Sequence, residues 1–179
     1  MRKLKIYLAG PDVFRANAIE HLNSLKELCD KYNFIGLAPL DNTIEIAEKD
    51  KGTPLHSNLI FKSNVSLIRQ CDVIIANIIP FRGACADDGT AWEIGFGYAL
   101  GKKIYGYSEF NNFSLKAITN IMFELDRQDE FTEIEDFGNT VNLMLADSIK
   151  ESGGKIFKTF EECLIEFRGY INYMTNTYC

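Results

Sequence analysis

The spacing of apolar residues along this chain switches repeatedly between strand-like and helix-like periods. Val73-Ile74-Ile75-Ala76-Asn77-Ile78-Ile79 is a run of strand length that is apolar on both faces, as a central parallel strand is. Runs near 4–9, 34–38, 103–107 and 154–157 read as further strands. Helices are predicted near 16–32, 57–70, 90–101, 114–128 and 141–149. In a last helix, 159–174, Phe160, Cys163, Leu164, Phe167 and Ile171 recur at helical spacing and form a core stripe. This alternation is the βαβ pattern of a doubly wound α/β sheet, with right-handed crossovers.

The polar segment 39–56, with Gly52-Thr53-Pro54, is expected to be a long loop at the carboxyl end of the second strand and a mobile wall of any site there. A second loop is expected at 108–113, and 129–140 reads as acidic and irregular, with Gly138-Asn139 as a turn signal. Gly10-Pro11 follows the first strand without a G-x-G-x-x-G, so a dinucleotide fingerprint is absent.

A length of 179 residues, 46% of them hydrophobic, predicts one domain with a sizeable core. The net charge of −6 comes with no basic run, which argues against nucleic acid or an anionic membrane as partner. Five cysteines without a C-x-x-C pair read as reduced thiols of a cytoplasmic protein, and two histidines make a histidine-rich metal centre improbable. No stretch approaches a membrane-spanning length, and the apolar run after Met1-Arg2-Lys3 is too short for a signal-peptide core.

The candidate chemistry lies after the central strand, where open α/β sheets bind ligands. There Asp87-Asp88-Gly89-Thr90-Ala91-Trp92-Glu93 leads into a glycine-containing helix. Ala91, Gly95 and Ala99, four apart, predict a small-residue face that lets this helix lie close to the sheet. Glu93, near the positive end of the helix, is expected to be ionised and suited to act as nucleophile or general base. Thr90-x-x-Glu93 is equally a capping box, in which the glutamate satisfies a backbone N–H.

Five motifs in order resemble the nucleoside 2-deoxyribosyltransferases: Ile6-Tyr7-Leu8-Ala9-Gly10-Pro11-x-Val13-Phe14, Pro39-Leu40-Asp41-Asn42, Cys71-Asp72-Val73-Ile74, Asp87-x-Gly89-Thr90-Ala91-x-Glu93-Ile94-Gly95 and Asn142-Leu143-Met144. The resemblance implies a flavodoxin-like fold of five parallel strands with helices on both faces. It implies transfer of 2-deoxyribose between nucleobases of 2′-deoxynucleosides, without a cofactor or metal, through a covalent deoxyribosyl-glutamate at Glu93. Tyr7, expected to end the first strand beside the switch point, would orient that glutamate, or else be a buried core tyrosine.

By the same resemblance Asp87 binds the sugar 5′-hydroxyl, and its charge would repel a 5′-phosphate; its other reading is a helix cap. Gly10, Phe14, Asn64, Asp41 and Asn42 fall among the substrate-binding positions, with Asp41 and Asn42 facing the base or shaping its loop as turn formers. Asn64 stands where some members carry an aspartate that assists the departing base, and an amide can hydrogen-bond but cannot act as an acid. Asn142 and Met144 would reach a neighbouring subunit's site in a homo-oligomer, or cap and pack their own helix. Asp72 begins its strand at the far edge of the sheet and reads as structural. Thr43 departs from the glutamine of many members, which leaves base preference open. The alternatives are a deoxynucleoside or deoxynucleotide hydrolase on the same scaffold and a non-catalytic nucleoside-sensing module.

Overall fold

The computed structural model describes residues 2–41, 45–122 and 133–177. Its centre is a five-stranded, all-parallel sheet of β1 (Lys5–Ala9), β2 (Ile35–Leu37), β3 (Val73–Asn77), β4 (Lys103–Tyr107) and β5 (Ile156–Phe157), in spatial order β2-β1-β3-β4-β5. That is the flavodoxin-like order. The chain leaves β1 for β2 on one side and returns to β3 on the other, so the crevice beyond the carboxyl ends of β1 and β3 is the topological switch point. All five residues of β3 are buried, as expected for a strand covered on both faces.

Side-chain alternation divides the core. Ile6, Leu8, Val73 and Ile75 pack against α1 (Ala18–Lys31) and α6 (Phe160–Thr177), through Leu22, Leu25, Cys29, Cys163, Leu164 and Phe167. Tyr7, Ala9, Ile74 and Ala76 face α2 (Pro54–Gln70), α3 (Asp88–Ala99) and α5 (Leu143–Glu151), through Leu67, Ile68, Ile94, Ala146 and Ile149. The short α4 (Leu115–Met122) covers a satellite cluster with Ala84. Asp72 holds the far edge of the sheet, accepting from Arg2 Nη1 at 2.8 Å and from the Lys5 backbone N–H at 2.8 Å.

Three local expectations need correction. The 39–56 segment is not all loop: Glu48–Asp50 forms a 3₁₀ turn, and α2 begins at Pro54 because Thr53 is its N-cap and proline at the first helical position costs no hydrogen bond. Tyr7 does not end its strand but sits mid-way along β1. The third concerns α3, whose Gly95 and Ala99 are exposed while Thr90, Glu93, Ile94 and Gly97 face inward. The close approach to the sheet is at Gly97, where an added Cβ would lie 2.2 Å from Ile74 Cδ1. The part of the predicted 114–128 helix after Met122, and the start of the acidic 129–140 segment, lie outside the described residues.

Candidate active site

Tyr7 and Glu93 meet beneath the switch point. Tyr7 is fully buried on β1, and its hydroxyl donates to Glu93 Oε1 at 2.5 Å. Glu93, 9% exposed, stands in the second turn of α3, and its inward position follows from the Thr90, Glu93, Ile94, Gly97 face. Burial pushes the carboxyl up to about 7; the Tyr7 hydrogen bond pulls it down and the Asp87 charge pushes it up again. Desolvation therefore outweighs the helix dipole on which the expectation of full ionisation rested. The Tyr7 hydroxyl is held far above its ordinary range, first by burial and then by the Glu93 charge, so it remains a proton donor.

Glu93 does not close the capping box. Asp87 is the N-cap of α3, its Oδ2 accepting from the Thr90 N–H at 2.9 Å and the Thr90 hydroxyl at 3.1 Å. Asp87 and Glu93 thus divide their tasks: Asp87 starts the helix and Glu93 projects inward to Tyr7.

Above Glu93 opens a cavity of about 650 Å³, within the range of small-molecule sites. Asp87, Gly10 and Phe14 line it, as does Asn64 from α2. Phe14 stacks on Phe81 with ring centroids 5.3 Å apart, and the Arg82 guanidinium lies over both rings. These contacts brace the exit loops of β1 and β3 against each other. Asn64 Oδ1 is buried with no hydrogen-bond partner among the described residues.

Other expected residues stand elsewhere. Pro39 and Leu40 line the cavity, but Asp41 turns away, accepting from the Ala38 N–H at 2.7 Å and from Lys26 Nζ at 2.5 Å. Its carboxylate forms the turn after β2 and does not face the cavity, because the nearest N–H and ammonium groups are behind it. Asn42 lies outside the described residues. Asn142 caps α5, its Oδ1 accepting from the Met144 N–H at 3.0 Å and its Nδ2 donating to Glu135 at 2.8 Å, and Met144 is 68% exposed. Neither lines the cavity of its own chain.

Two groups of residues gave no clear signal along the chain. His56 and Ile60 line the cavity one helical turn apart on α2, in line with Asn64, a periodicity visible once the helix starts at Pro54. Asp12, the variable position in the Gly10-Pro11-x-Val13 motif, is 3% exposed. It accepts from Arg15 Nε at 2.7 Å and Asn77 Nδ2 at 2.9 Å, with His21 Nε2 3.1 Å away. Asp12 thereby ties the loop after β1 to the end of β3, and its only sequence signal was a carboxylate between apolar residues.

A sequence profile of the nucleoside 2-deoxyribosyltransferases matches residues 6–144, most of the chain. The chain belongs to the nucleoside 2-deoxyribosyltransferase family. A 2-deoxyribosyltransferase of Leishmania mexicana is similar in structure with a TM-score of 0.71 and 31% identity, over 93% of this chain and 97% of that one. A 2-deoxyribosyltransferase of Bacillus psychrosaccharolyticus shares the fold, with a TM-score of 0.56 and 24% identity over 88% of each chain. An uncharacterized protein of Schizosaccharomyces pombe is 39% identical over 104 residues, which are 58% of this chain. The matched region spans about half the length of that curated relative, 49%. The family match encloses the whole constellation of Tyr7, Asp87 and Glu93.

Among the described residues, no helix is long and apolar enough to cross a membrane, and no group of three or more His, Cys, Asp or Glu side chains is placed to hold a metal ion. A smaller depression of about 470 Å³ lies at the opposite end of the sheet beside Arg2 and Arg168. Tyr32 lines it and its hydroxyl donates to Glu161 at 2.8 Å, but that carboxylate is 42% exposed whereas Glu93 is buried.

Proposed function

We propose that this chain is a single-domain enzyme that transfers 2-deoxyribose from one nucleobase to another by double displacement at Glu93. The observation that carries the reading is the buried Tyr7–Glu93 hydrogen bond at the floor of a cavity that also contains Asp87. A carboxylate oxygen of Glu93 attacks C1′ of a 2′-deoxynucleoside, the C1′–N bond breaks, and its electron pair leaves with the base. A ring nitrogen of a second base then attacks C1′ and the carboxylate departs. Two inversions give net retention, and the carboxylate stabilises the oxocarbenium-like transition states.

In this reading Tyr7 fixes the rotamer of Glu93 and spreads its charge, while Asp87 Oδ1 accepts from the 5′-hydroxyl and disfavours a 5′-phosphate. Asn142 and Met144 of a second copy complete the site in a homo-oligomer, which the exposure of Met144 supports. No cofactor is needed, because the nucleophile, its orienting hydroxyl and the sugar-binding carboxylate are all side chains. Free thiols at Cys29, Cys71, Cys85 and Cys163 support a reducing, cytoplasmic setting.

The test is chromatography of reactions containing 2′-deoxyinosine or thymidine as donor and adenine or cytosine as acceptor, without phosphate. New deoxynucleosides are expected. Free deoxyribose alone would make the protein a hydrolase, and nucleoside binding without turnover would make it a sensing module.

A pH profile tests the nucleophile independently. The attacking carboxylate must be ionised, so kcat/KM is expected to rise with pH through an apparent pKa near 7, the value to which burial raises Glu93. The Tyr7 hydroxyl stabilises the ionised form, so Tyr7→Phe should shift this limb to higher pH. It should also reduce the plateau by about 10- to 100-fold, the value of a buried hydrogen bond to a charged group. A profile flat from pH 5 to 9 would remove Glu93 from the rate equation.

A further inference from the structure

His56 shares the cavity with Glu93, and a backbone hydrogen bond fixes which of its ring nitrogens accepts. It stands in the first turn of α2, whose start is held by Thr53: the Thr53 hydroxyl donates to the Asp50 carbonyl at 2.5 Å, and the Thr53 carbonyl accepts from the Ser57 N–H at 3.1 Å. The Gly52 backbone N–H donates to His56 Nδ1 at 3.2 Å. An Nδ1 that accepts a hydrogen bond leaves the ring proton of a neutral imidazole on Nε2, so the side chain is a donor at its far end.

Two turns further along the same stripe of α2 is Asn64, whose Oδ1 is buried in the cavity wall without a partner among the described residues. Buried acceptors are nearly always satisfied, so a rotation of this amide that turns its oxygen to a ligand N–H in the cavity would be favoured. The α2 wall therefore combines a donor, His56 Nε2–H, with an unsatisfied acceptor, Asn64 Oδ1. A nucleobase carries the complement, ring nitrogens or carbonyl oxygens beside N–H or amino groups.

We propose that His56 binds the nucleobase, its Nε2–H donating to a base nitrogen or carbonyl oxygen while Asn64 Oδ1 accepts from a base N–H. The inference rests on the reading of this cavity as a nucleoside site. As the C1′–N bond breaks, its electron pair moves into the base and negative charge grows on the ring nitrogens and carbonyl oxygens. The Nε2–H hydrogen bond strengthens at that moment, so it lowers the barrier and does more than bind. A neutral imidazole keeps its proton, so the base leaves as its anion and takes a proton from water. In the second half-reaction the incoming base loses its N–H proton to water as its nitrogen attacks C1′. Asn64 offers no acid, and in this arrangement none is required.

Two substitutions separate the functions of the two ring nitrogens. Asparagine at 56 can still accept from the Gly52 N–H but has no donor where Nε2 stands; glutamine reaches that place with an amide N–H and gives up the Gly52 contact. His56→Asn and His56→Leu are expected to lower kcat/KM for the donor nucleoside by about 10- to 100-fold, with the larger loss for the poorer leaving base. His56→Gln should stay within about threefold of wild type, since the donor that carries the effect is retained. An Asn variant near wild type beside an impaired Gln variant would show that His56 only holds the loop and would overturn the proposal, as would three variants indistinguishable from wild type.

Calorimetric binding of free adenine and cytosine to the same proteins tests base recognition separately from the transfer reaction. Base binding lost in the Asn and Leu variants and kept in Gln supports His56 even if the wild type proves to transfer nothing. A wild type that binds neither base at millimolar concentration overturns the proposal.

Discussion

Replacing Glu93 with glutamine is expected to lower turnover by at least ~10³-fold, as removal of other covalent nucleophiles does, and at the same time to make the folded protein more stable above pH 7. The kinetic half follows from chemistry: an amide oxygen is a poor nucleophile and a poor leaving group at C1′, so neither displacement proceeds. The stability half follows from burial. The carboxyl lies at about 7 in the folded chain against an ordinary 4.5. Between those values the native state binds more protons than the unfolded chain, so stability falls as pH rises through the interval and the whole cost is present above 7. That shift corresponds to a cost of about 3 kcal/mol, and a neutral isostere that still accepts from Tyr7 removes most of it.

For a domain of this size the gain amounts to about 5 °C in Tm at pH 8, shrinking as pH falls toward 4. Thermal melts of wild type and Glu93→Gln at both pH values, beside the transfer assay, check the two halves together. Near-normal turnover in the folded variant would sink the nucleophile assignment. A variant less stable than wild type at pH 8 would show that the ionised carboxylate is not under strain. Stability withheld at a buried reactive group is the usual trade at an active site.

The second large effect is expected at Gly154, far from the chemistry. A Cβ there would stand 1.6 Å from the Ile104 carbonyl oxygen and 2.7 Å from its carbon. Both are backbone atoms of β4, so no side chain can rotate aside. Relief requires β5 to move off β4, straining the Gly106 N–H bond to the Lys155 carbonyl and the Ser152 hydroxyl's contact with the Ile104 N–H. Gly154→Ala should therefore cost about 3 kcal/mol or more, the upper range for overpacking. Gly95→Ala is the matched control: a Cβ there meets nothing within 4 Å in the middle of α3, and the change should stabilise by about 0.5–1 kcal/mol through helix propensity. Urea unfolding of the three proteins decides it; equal midpoints for wild type and Gly154→Ala would refute the packing argument.

The contrast between Gly95 and Gly97 marks where legibility ended. The 3.6-residue period of α3 was evident, but the face that would turn inward was not. The chain carries glycine or alanine on one side and Thr90, Glu93, Ile94 and Gly97 on the other, and small residues suit either a tight contact or open solvent. Only the position of Ile74 beneath the helix distinguishes them. Asp41 illustrates the same point, for its motif placed it at the correct end of β2 while the direction of its carboxylate was set by Lys26 and the Ala38 N–H.

The sequence by itself determined the element order, the parallel sheet and the family, because strand and helix periods and ordered motifs are local properties that survive without knowledge of neighbours. It also brought Tyr7, Asp87 and Glu93 to notice as residue types. Tertiary structure alone decided that Glu93 is buried against Tyr7 and raised to about 7, that Asp87 and not Thr90 with Glu93 caps α3, and that His56 joins the wall of the cavity. The reason is physical: desolvation, the choice of hydrogen-bond partner and membership of a cavity depend on atoms brought together from β1, α2 and α3, and no spacing along the chain encodes the distance between them.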